Sequence, residues 1–135
     1  MRLKRVILLA FALITVGTVL ELYLLHHYES IYQLIPILCI ALIVVSVIAL
    51  VFLRTIFVKN SFKFILLVTA LSGVYGVYLH LYANFEFELE IRPSADTWDL
   101  ISESFSGALP ALAPFSMVVL ALIGYSYLIL INQKQ

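Results

Sequence analysis

Four long apolar segments alternate with polar connections along this chain, and they cover residues 3–28, 32–53, 62–85 and 109–131. Each contains at least the ~20 residues that an α-helix needs to cross about 30 Å of hydrocarbon. Four crossings place both termini on the same side of a membrane. The pattern therefore predicts an all-α membrane protein, a single domain over residues 1–135 that forms an antiparallel bundle of four transmembrane helices.

The connection between the third and fourth apolar segments, residues 86–108, is long enough to have structure of its own. Residues 85–92 alternate apolar and polar positions, which is typical of a strand. A lone strand at a membrane surface would leave its backbone groups unpaired, whereas a helix satisfies them internally. We therefore expect helix 3 to continue to about Glu88, followed by an extended stretch to Pro93.

The rest of this outer capping segment has the pattern of a short amphipathic helix over residues 94–105. Trp98 would anchor it at the membrane interface, because tryptophan is enriched there. Helix 4 is expected to begin at Pro110, with a kink at Pro114. The two faces of the interfacial helix would carry Trp98, Ile101 and Phe105 on the apolar side and Asp96, Asp99 and Glu103 on the other.

Charge is segregated between the two ends of the apolar segments. All eight carboxylates lie at one end, and seven of the eight Lys and Arg residues lie at the other. The positive-inside rule predicts that the basic end and both termini are cytoplasmic. A chain with 64% hydrophobic and 12% charged residues is not an ordinary soluble globule, and nothing indicates a nucleic-acid partner. The expected partner is the lipid bilayer; a membrane-protein partner or a homo-oligomer stays open.

Glu21 and His80 are the polar residues that these apolar segments accommodate least easily. A charged carboxylate near the middle of a membrane costs roughly 2.5–3.5 kcal/mol, so we expect Glu21 to have a partner or to be protonated. His80 lies at a similar depth in helix 3, on a face that recurs every four residues. We therefore predict a Glu21–His80 contact in a polar pocket at the outer face. The same helix face carries Gly76, His80, Asn84 and Glu88.

A metal ion is the ligand that we first expect in this pocket. Imidazole and carboxylate groups at helical spacing suit zinc, manganese or non-haem iron. The protein would then be an accessory, sensing or small redox protein. The predicted metal ligands are Glu21, His80, His26, Glu29 and Glu88. The residues expected to support the pocket are Asn84, Thr18, Gly76 and Tyr28.

Two alternatives stay open at this point. In the first, a Glu21–His80 ion pair only fixes helix register, in a structural subunit or assembly factor of a larger membrane complex. In the second, His80 and either His26 or His27 hold a b-type haem in a redox carrier. Whether the chain is an enzyme also stays open, since no hydrolase or kinase motif is visible. The single cysteine, Cys39, excludes an intrachain disulfide and dithiol oxidoreductase chemistry.

Three stretches near the outer ends of the predicted helices resemble a known family. They read ELYLLHHYES at residues 21–30 with Gln33 and Pro36, GVYLHLYANFEFELE at residues 76–90, and GALPALAP at residues 107–114 with Met117. Together they resemble a family of small bacterial integral membrane proteins with four spans, for which no activity is established. The resemblance implies a multi-pass protein of the bacterial cytoplasmic (inner) membrane, and it implies no reaction and no catalytic residues.

Overall fold

The computed structural model describes residues 2–133, and within that range the chain is entirely helical apart from its connections, with no strand. Four of its five helices are long and apolar enough to cross a membrane. The prediction of an all-α chain with four helices of spanning length is therefore confirmed. The helices are α1 (Arg2–Leu24), α2 (Ile31–Phe52), α3 (Ile56–Ile91), α4 (Thr97–Ser104) and α5 (Phe115–Asn132).

Side-chain caps explain where two of the long helices begin. Ser30 caps α2: its side chain accepts a hydrogen bond from the backbone N–H of Gln33, and the Gln33 side chain accepts one from the backbone N–H of Ser30. Thr55 caps α3 by accepting from the N–H of Val58. Each cap satisfies backbone donors that the first helical turn leaves free.

Helix α3 is longer than the sequence pattern predicts. It has 36 residues and ends at Ile91, so the expected extended stretch after Glu88 is wrong. The alternating segment is helical because a helix pairs its own backbone groups. A salt bridge of 2.7 Å between Glu88 and Arg92 supports the last turn. At 1.5 Å per residue α3 is about 54 Å long, well beyond the ~30 Å of a hydrocarbon core.

The prediction that helix 4 begins at Pro110 is also wrong, since residues 110–114 form turns and α5 begins at Phe115. Proline has no N–H, so Pro114 cannot donate the α-helical hydrogen bond to the carbonyl of Pro110. That carbonyl instead accepts from the N–H of Ala113 at 3.1 Å and from His80. The chain therefore enters α5 through a non-helical turn at residues 110–114.

Helix α1 ends at Leu24, whereas the apolar pattern extends it to Tyr28. His26 has a φ of 51°, in the left-handed region, so the chain leaves the helix direction there. Glu21 consequently lies in the last turn of α1. The sequence pattern places it about two turns inside the helix.

Helix α4 is shorter than predicted and covers only Thr97–Ser104. It packs against α3 through the buried Leu100 and Ser104. The side chain of Trp98 is 73% exposed, and Ile101 and Phe105 are also exposed. The apolar residues that the sequence pattern assigns to the membrane interface therefore lie on the uncovered side of α4.

Helix α3 is the centre of the packing. It contacts α2, α4 and α5, while α1 packs mainly on α5 and touches α2 at few points. A Cβ on Gly76 would lie 2.7 Å from Pro114, and one on Gly124 would lie 2.6 Å from Leu66. Both glycines allow close packing. The neighbour of Gly76 is a rigid proline ring, which cannot give way as the end of the Leu66 side chain can.

Two ends of the bundle can be defined by these elements. The acidic end carries the connection at residues 25–30, the last turns of α3, and residues 92–114. The basic end carries the start of α1, the connection at residues 53–55 and the end of α5. At the basic end, the Lys4 ammonium lies 5.6 Å from the centroid of the Tyr127 ring and brings the start of α1 against α5.

Candidate functional site

A partly open cavity of about 480 Å³ lies at the acidic end, and we call it the acidic-end cavity. All four long helices and the turns at residues 108–114 contribute to its wall. The wall is mostly apolar. Its polar side chains are Thr18, Glu21, His27, Gln33, Ser72, His80 and Ser116, with the rings of Tyr32 and Tyr75 beside them.

A hydrogen bond to the non-helical turn before α5 orients His80. Its Nδ1 lies 3.0 Å from the carbonyl oxygen of Pro110. A carbonyl only accepts hydrogen bonds, so Nδ1 carries the proton and donates. In the neutral ring this leaves the lone pair on Nε2, as in histidines whose second nitrogen binds a metal or accepts a proton.

The ring of His27 lies next to that of His80 in the cavity wall. The two ring centroids are 6.1 Å apart, and the ring planes are inclined by 65°. Burial, and secondarily the nearby His80, lower the pKa of His27 below its ordinary value of 6.5. The environment therefore favours the neutral imidazole, which has a lone pair to offer.

Glu21 lines the same cavity, but it does not bond to His80, although the sequence predicts a contact between them. Within the described residues no hydrogen bond or ion pair joins them. The reason lies in the packing: α1, which carries Glu21 in its last turn, packs mainly on α5 and hardly touches α3, which carries His80. Glu21 and His80 thus share a cavity, which they line from different helices, but they do not form the predicted pair.

The other three predicted metal ligands lie outside the cavity wall. The Nδ1 of His26 is 2.8 Å from the hydroxyl of Tyr28, and Glu88 is paired with Arg92. Glu29 is exposed in the connection before α2. Among residues 2–133 no group of three His, Cys, Asp or Glu side chains is placed to hold a metal ion.

The predicted supporting residues divide in the same way. Thr18 and Gly76 line the cavity, and Tyr28 lies outside it with His26. Asn84 lies deeper in the protein, where only 2% of it is exposed.

Asn84 forms hydrogen bonds with the segment at residues 104–109, which leads to the turn at Pro110. Its amide group donates to the carbonyls of Ser104 and Leu109, both at 2.8 Å, and accepts from the N–H of Leu109 at 3.0 Å. A Cβ on Gly107 would lie 2.5 Å from the Asn84 side chain, so only glycine lets the loop close over it. The three hydrogen bonds fix residues 104–109, and through them the turn that carries Pro110.

Several lining residues were not singled out by the sequence. His27 is not among the predicted metal ligands, and the left-handed φ of His26, which turns the chain before His27, cannot be read from an apolar pattern that continues to Tyr28. The Pro110 carbonyl becomes an acceptor only because two prolines break the helix. Ser72 follows a helical spacing with Gly76 and His80, and that spacing alone is a signal that could have identified it.

The charge of the wall is one-sided. Glu21 is its single carboxylate, and no Lys or Arg of the described chain lines it.

Comparison of the chain with protein-family models, curated proteins and solved structures found no match. The chemistry of the cavity must therefore be inferred from its own residues.

Proposed function

We propose that this protein binds a small organic molecule in the acidic-end cavity. The cavity itself carries the proposal. Its volume of about 480 Å³ lies within the range of about 300–1,000 Å³ typical of small-molecule sites. Such sites have apolar walls with a few placed polar groups, and here Glu21, His27 and His80 are those groups.

The setting that we propose is the inner membrane of a bacterium, with an antiparallel four-span bundle and both termini in the cytoplasm. The positive-inside rule supports this orientation, because the basic end carries seven of the eight Lys and Arg residues. The cavity then faces away from the cytoplasm. Helix α4 lies at the outer interface with Trp98 toward the lipid headgroups, a placement supported by the exposure of its apolar side chains.

A cavity-filling variant tests this function. Ala113 lines the cavity, and its neighbour Leu112 is exposed and lies outside the wall, so Ala113→Phe and Leu112→Phe form a matched pair. Radiolabelled octanol is equilibrated with the full chain in lipid nanodiscs, and binding to empty nanodiscs is subtracted. We expect saturable binding to the wild type and to Leu112→Phe, and loss of binding to Ala113→Phe. Equal binding to both variants would contradict the proposal.

A divalent metal ion is the second candidate ligand. The observation that favours it is the hydrogen bond from His80 to Pro110, which leaves Nε2 able to bind a cation. The neighbouring His27 ring would supply a second imidazole nitrogen. Water would fill the other coordination positions, because no third His, Cys, Asp or Glu side chain of residues 2–133 is placed with these two, and such a set suits zinc or iron.

Elemental analysis separates this candidate from the first. The purified chain is equilibrated with Zn²⁺, Mn²⁺ or Fe²⁺, and the variants His80→Ala and His26→Ala are compared. A metal site in the cavity predicts stoichiometric metal that His80→Ala loses and His26→Ala retains, because His26 bonds Tyr28 instead of lining the cavity. Absence of metal from the wild type, or its retention in His80→Ala, would end this candidate.

A further inference from the structure

The charge of the acidic-end cavity restricts the ligands that it can accept. Glu21 is in the last turn of α1, where the aligned peptide dipoles already give the helix end a partial negative charge. No Lys or Arg side chain in the described part of the chain lines the cavity to offset it. A phosphate or carboxylate head would therefore meet a carboxylate and a helix C-terminus with no cation to pair with.

The hydrogen-bonding groups of the wall restrict the ligand further. The Nε2 of His80 and the carboxylate of Glu21 are both acceptors, since the Nδ1 proton of His80 is already given to Pro110. The side-chain oxygen of Gln33 is occupied, because it accepts from the backbone N–H groups of Glu29 and Ser30. A head that lies between Glu21 and the Nε2 of His80 therefore meets two acceptors and has to donate, whereas the Gln33 amide N–H groups and the Ser116 hydroxyl can donate elsewhere in the wall.

The shape of the cavity indicates where the apolar part of such a ligand would lie. Helices α1 and α2 touch at few points, although both contribute to the wall. Leu25 follows α1 and Tyr32 lies in the first turn of α2, and both line the cavity and are exposed, which marks a gap between the two helices there. In a four-span bundle this side faces lipid chains, so an alkyl chain can extend through the gap without meeting water.

We propose that the ligand is a single-chain amphiphile with a cationic, hydrogen-bond-donating head, an alkylammonium, which enters from the lipid phase between α1 and α2. Its head lies near Glu21 and the Nε2 of His80. Its chain lies along Leu22, Leu25 and Ile35. This inference rests on the proposed function and specifies the ligand of the same cavity.

Three probes with the same chain and different heads test the proposal: octylamine, octanol and octanoate. Their saturable binding to the full chain is measured in nanodiscs of zwitterionic phosphatidylcholine, with binding to empty nanodiscs subtracted. We expect octylamine to bind about tenfold more tightly than octanol, as one charge-assisted hydrogen bond allows. Octanoate should bind more weakly than either.

The variants Glu21→Gln and Glu29→Gln separate the cavity from the general negative charge of the acidic end. We expect Glu21→Gln to lower the affinity for octylamine to that for octanol, and Glu29→Gln, which lies outside the wall, to leave the ranking unchanged. An equal loss in both variants would overturn the assignment of the head to Glu21.

The outcomes also separate this inference from the function on which it rests. Octanoate binding as tightly as octylamine would overturn the inference, while the cavity would remain a ligand site. Saturable binding of none of the three probes would contradict both. Because the head-group ranking is measured on the wild type, the test holds even if a variant folds poorly.

Discussion

The two halves of the bundle are built from the same four long helices, but they differ in packing. In the basic half, the side chains of Phe62, Leu50, Tyr127 and Leu128 are at most 2% exposed, and Gly124 lets Leu66 close against α5. In the acidic half the same helices separate around a cavity of about 480 Å³ with polar groups in its wall.

This difference shows where the helices pack closely and where they leave open space. In a membrane, helices associate through close van der Waals packing, because lipid chains are as apolar as the side chains. A cavity forfeits such contacts and costs stability. In the acidic half, residues 25–28 and 110–114 are not helical, and a cavity lies between the helices.

The largest effect that we predict is on the close packing of the basic half. Phe62→Ala should lower the free energy of unfolding by about 3 kcal/mol, the low end for a buried phenylalanine, because unfolding in a membrane exposes it to lipid and not to water. Phe64→Ala is the matched control, since Phe64 is 67% exposed on the same helix. It should change the free energy by less than about 0.5 kcal/mol.

Reversible unfolding in mixed micelles, followed by circular dichroism, measures both values. A similar loss in the two variants would mean that the basic half does not have the tight core described above.

The second effect concerns the fastening of the acidic half. Asn84→Ala removes three hydrogen bonds, and it leaves the buried carbonyl of Ser104 and the partly buried carbonyl and N–H of Leu109 without their partner. We expect a loss of about 2–3 kcal/mol, since each unsatisfied buried group costs about 1–3 kcal/mol. Ser102→Ala is the control, because Ser102 is exposed and bonds only within its own helix.

Hydrogen exchange locates this loss. Amides of residues 104–109 should exchange faster in Asn84→Ala than in the wild type, while those of the basic half keep their protection. Uniformly faster exchange along the chain would show that Asn84 stabilises the whole bundle and not this segment.

The two halves also differ in how much of their structure the sequence could predict. The four apolar segments follow directly from hydropathy, because a spanning helix needs about 20 apolar residues whatever its neighbours. Glu21 and His80 could be placed in one pocket because each is costly in an apolar segment. The first prediction concerns single helices, and the second uses only the depth of each residue along its own helix.

The features that sequence reasoning missed all depend on tertiary contacts. The alternation at residues 85–92 led us to expect helix only to about Glu88, whereas α3 continues to Ile91, where the Glu88–Arg92 salt bridge and the packing of α4 on α3 support it. The pairing of His80 with His27, and not with Glu21, follows from the break at His26 and from the order in which the helices pack. Apolar periodicity contains no information on either.

The third effect is smaller and tests the boundary between the two halves. A Cβ on Gly76 would lie 2.7 Å from the Pro114 side chain, so Gly76→Ala should push the turn at residues 110–114 away and cost about 1–2 kcal/mol. Gly17→Ala is the control, because nothing lies within 4 Å of its added Cβ. If thermal unfolding showed the same midpoint for both variants, the close approach of α3 and α5 at Gly76 would be contradicted.

The smallest effect is the response of the acidic half to pH. The pKa of His27 is lowered in the folded protein by burial and by His80, so the unfolded chain binds the proton more readily. Stability should therefore fall as pH decreases below the ordinary value of 6.5, and the loss is complete once pH is below the folded pKa.

Unfolding measured between about pH 8 and pH 5, the range in which histidine changes charge, checks this. His27→Gln should flatten the pH dependence. His26→Gln should not, since the ring of His26 contacts Tyr28 instead of His80. An unchanged slope in His27→Gln would show that another group governs the response.

Photolabelling tests the central claim, that the acidic half holds a ligand site and the basic half does not. An octylamine analogue with a diazirine on its alkyl chain is irradiated with the full chain in nanodiscs, and labelled peptides are identified by mass spectrometry. We predict labels on residues 18–36, 72–80 and 108–117 that excess octylamine abolishes. Labels that octylamine does not displace, or displaceable labels around Phe62 and Leu128 in the basic half, would contradict the account.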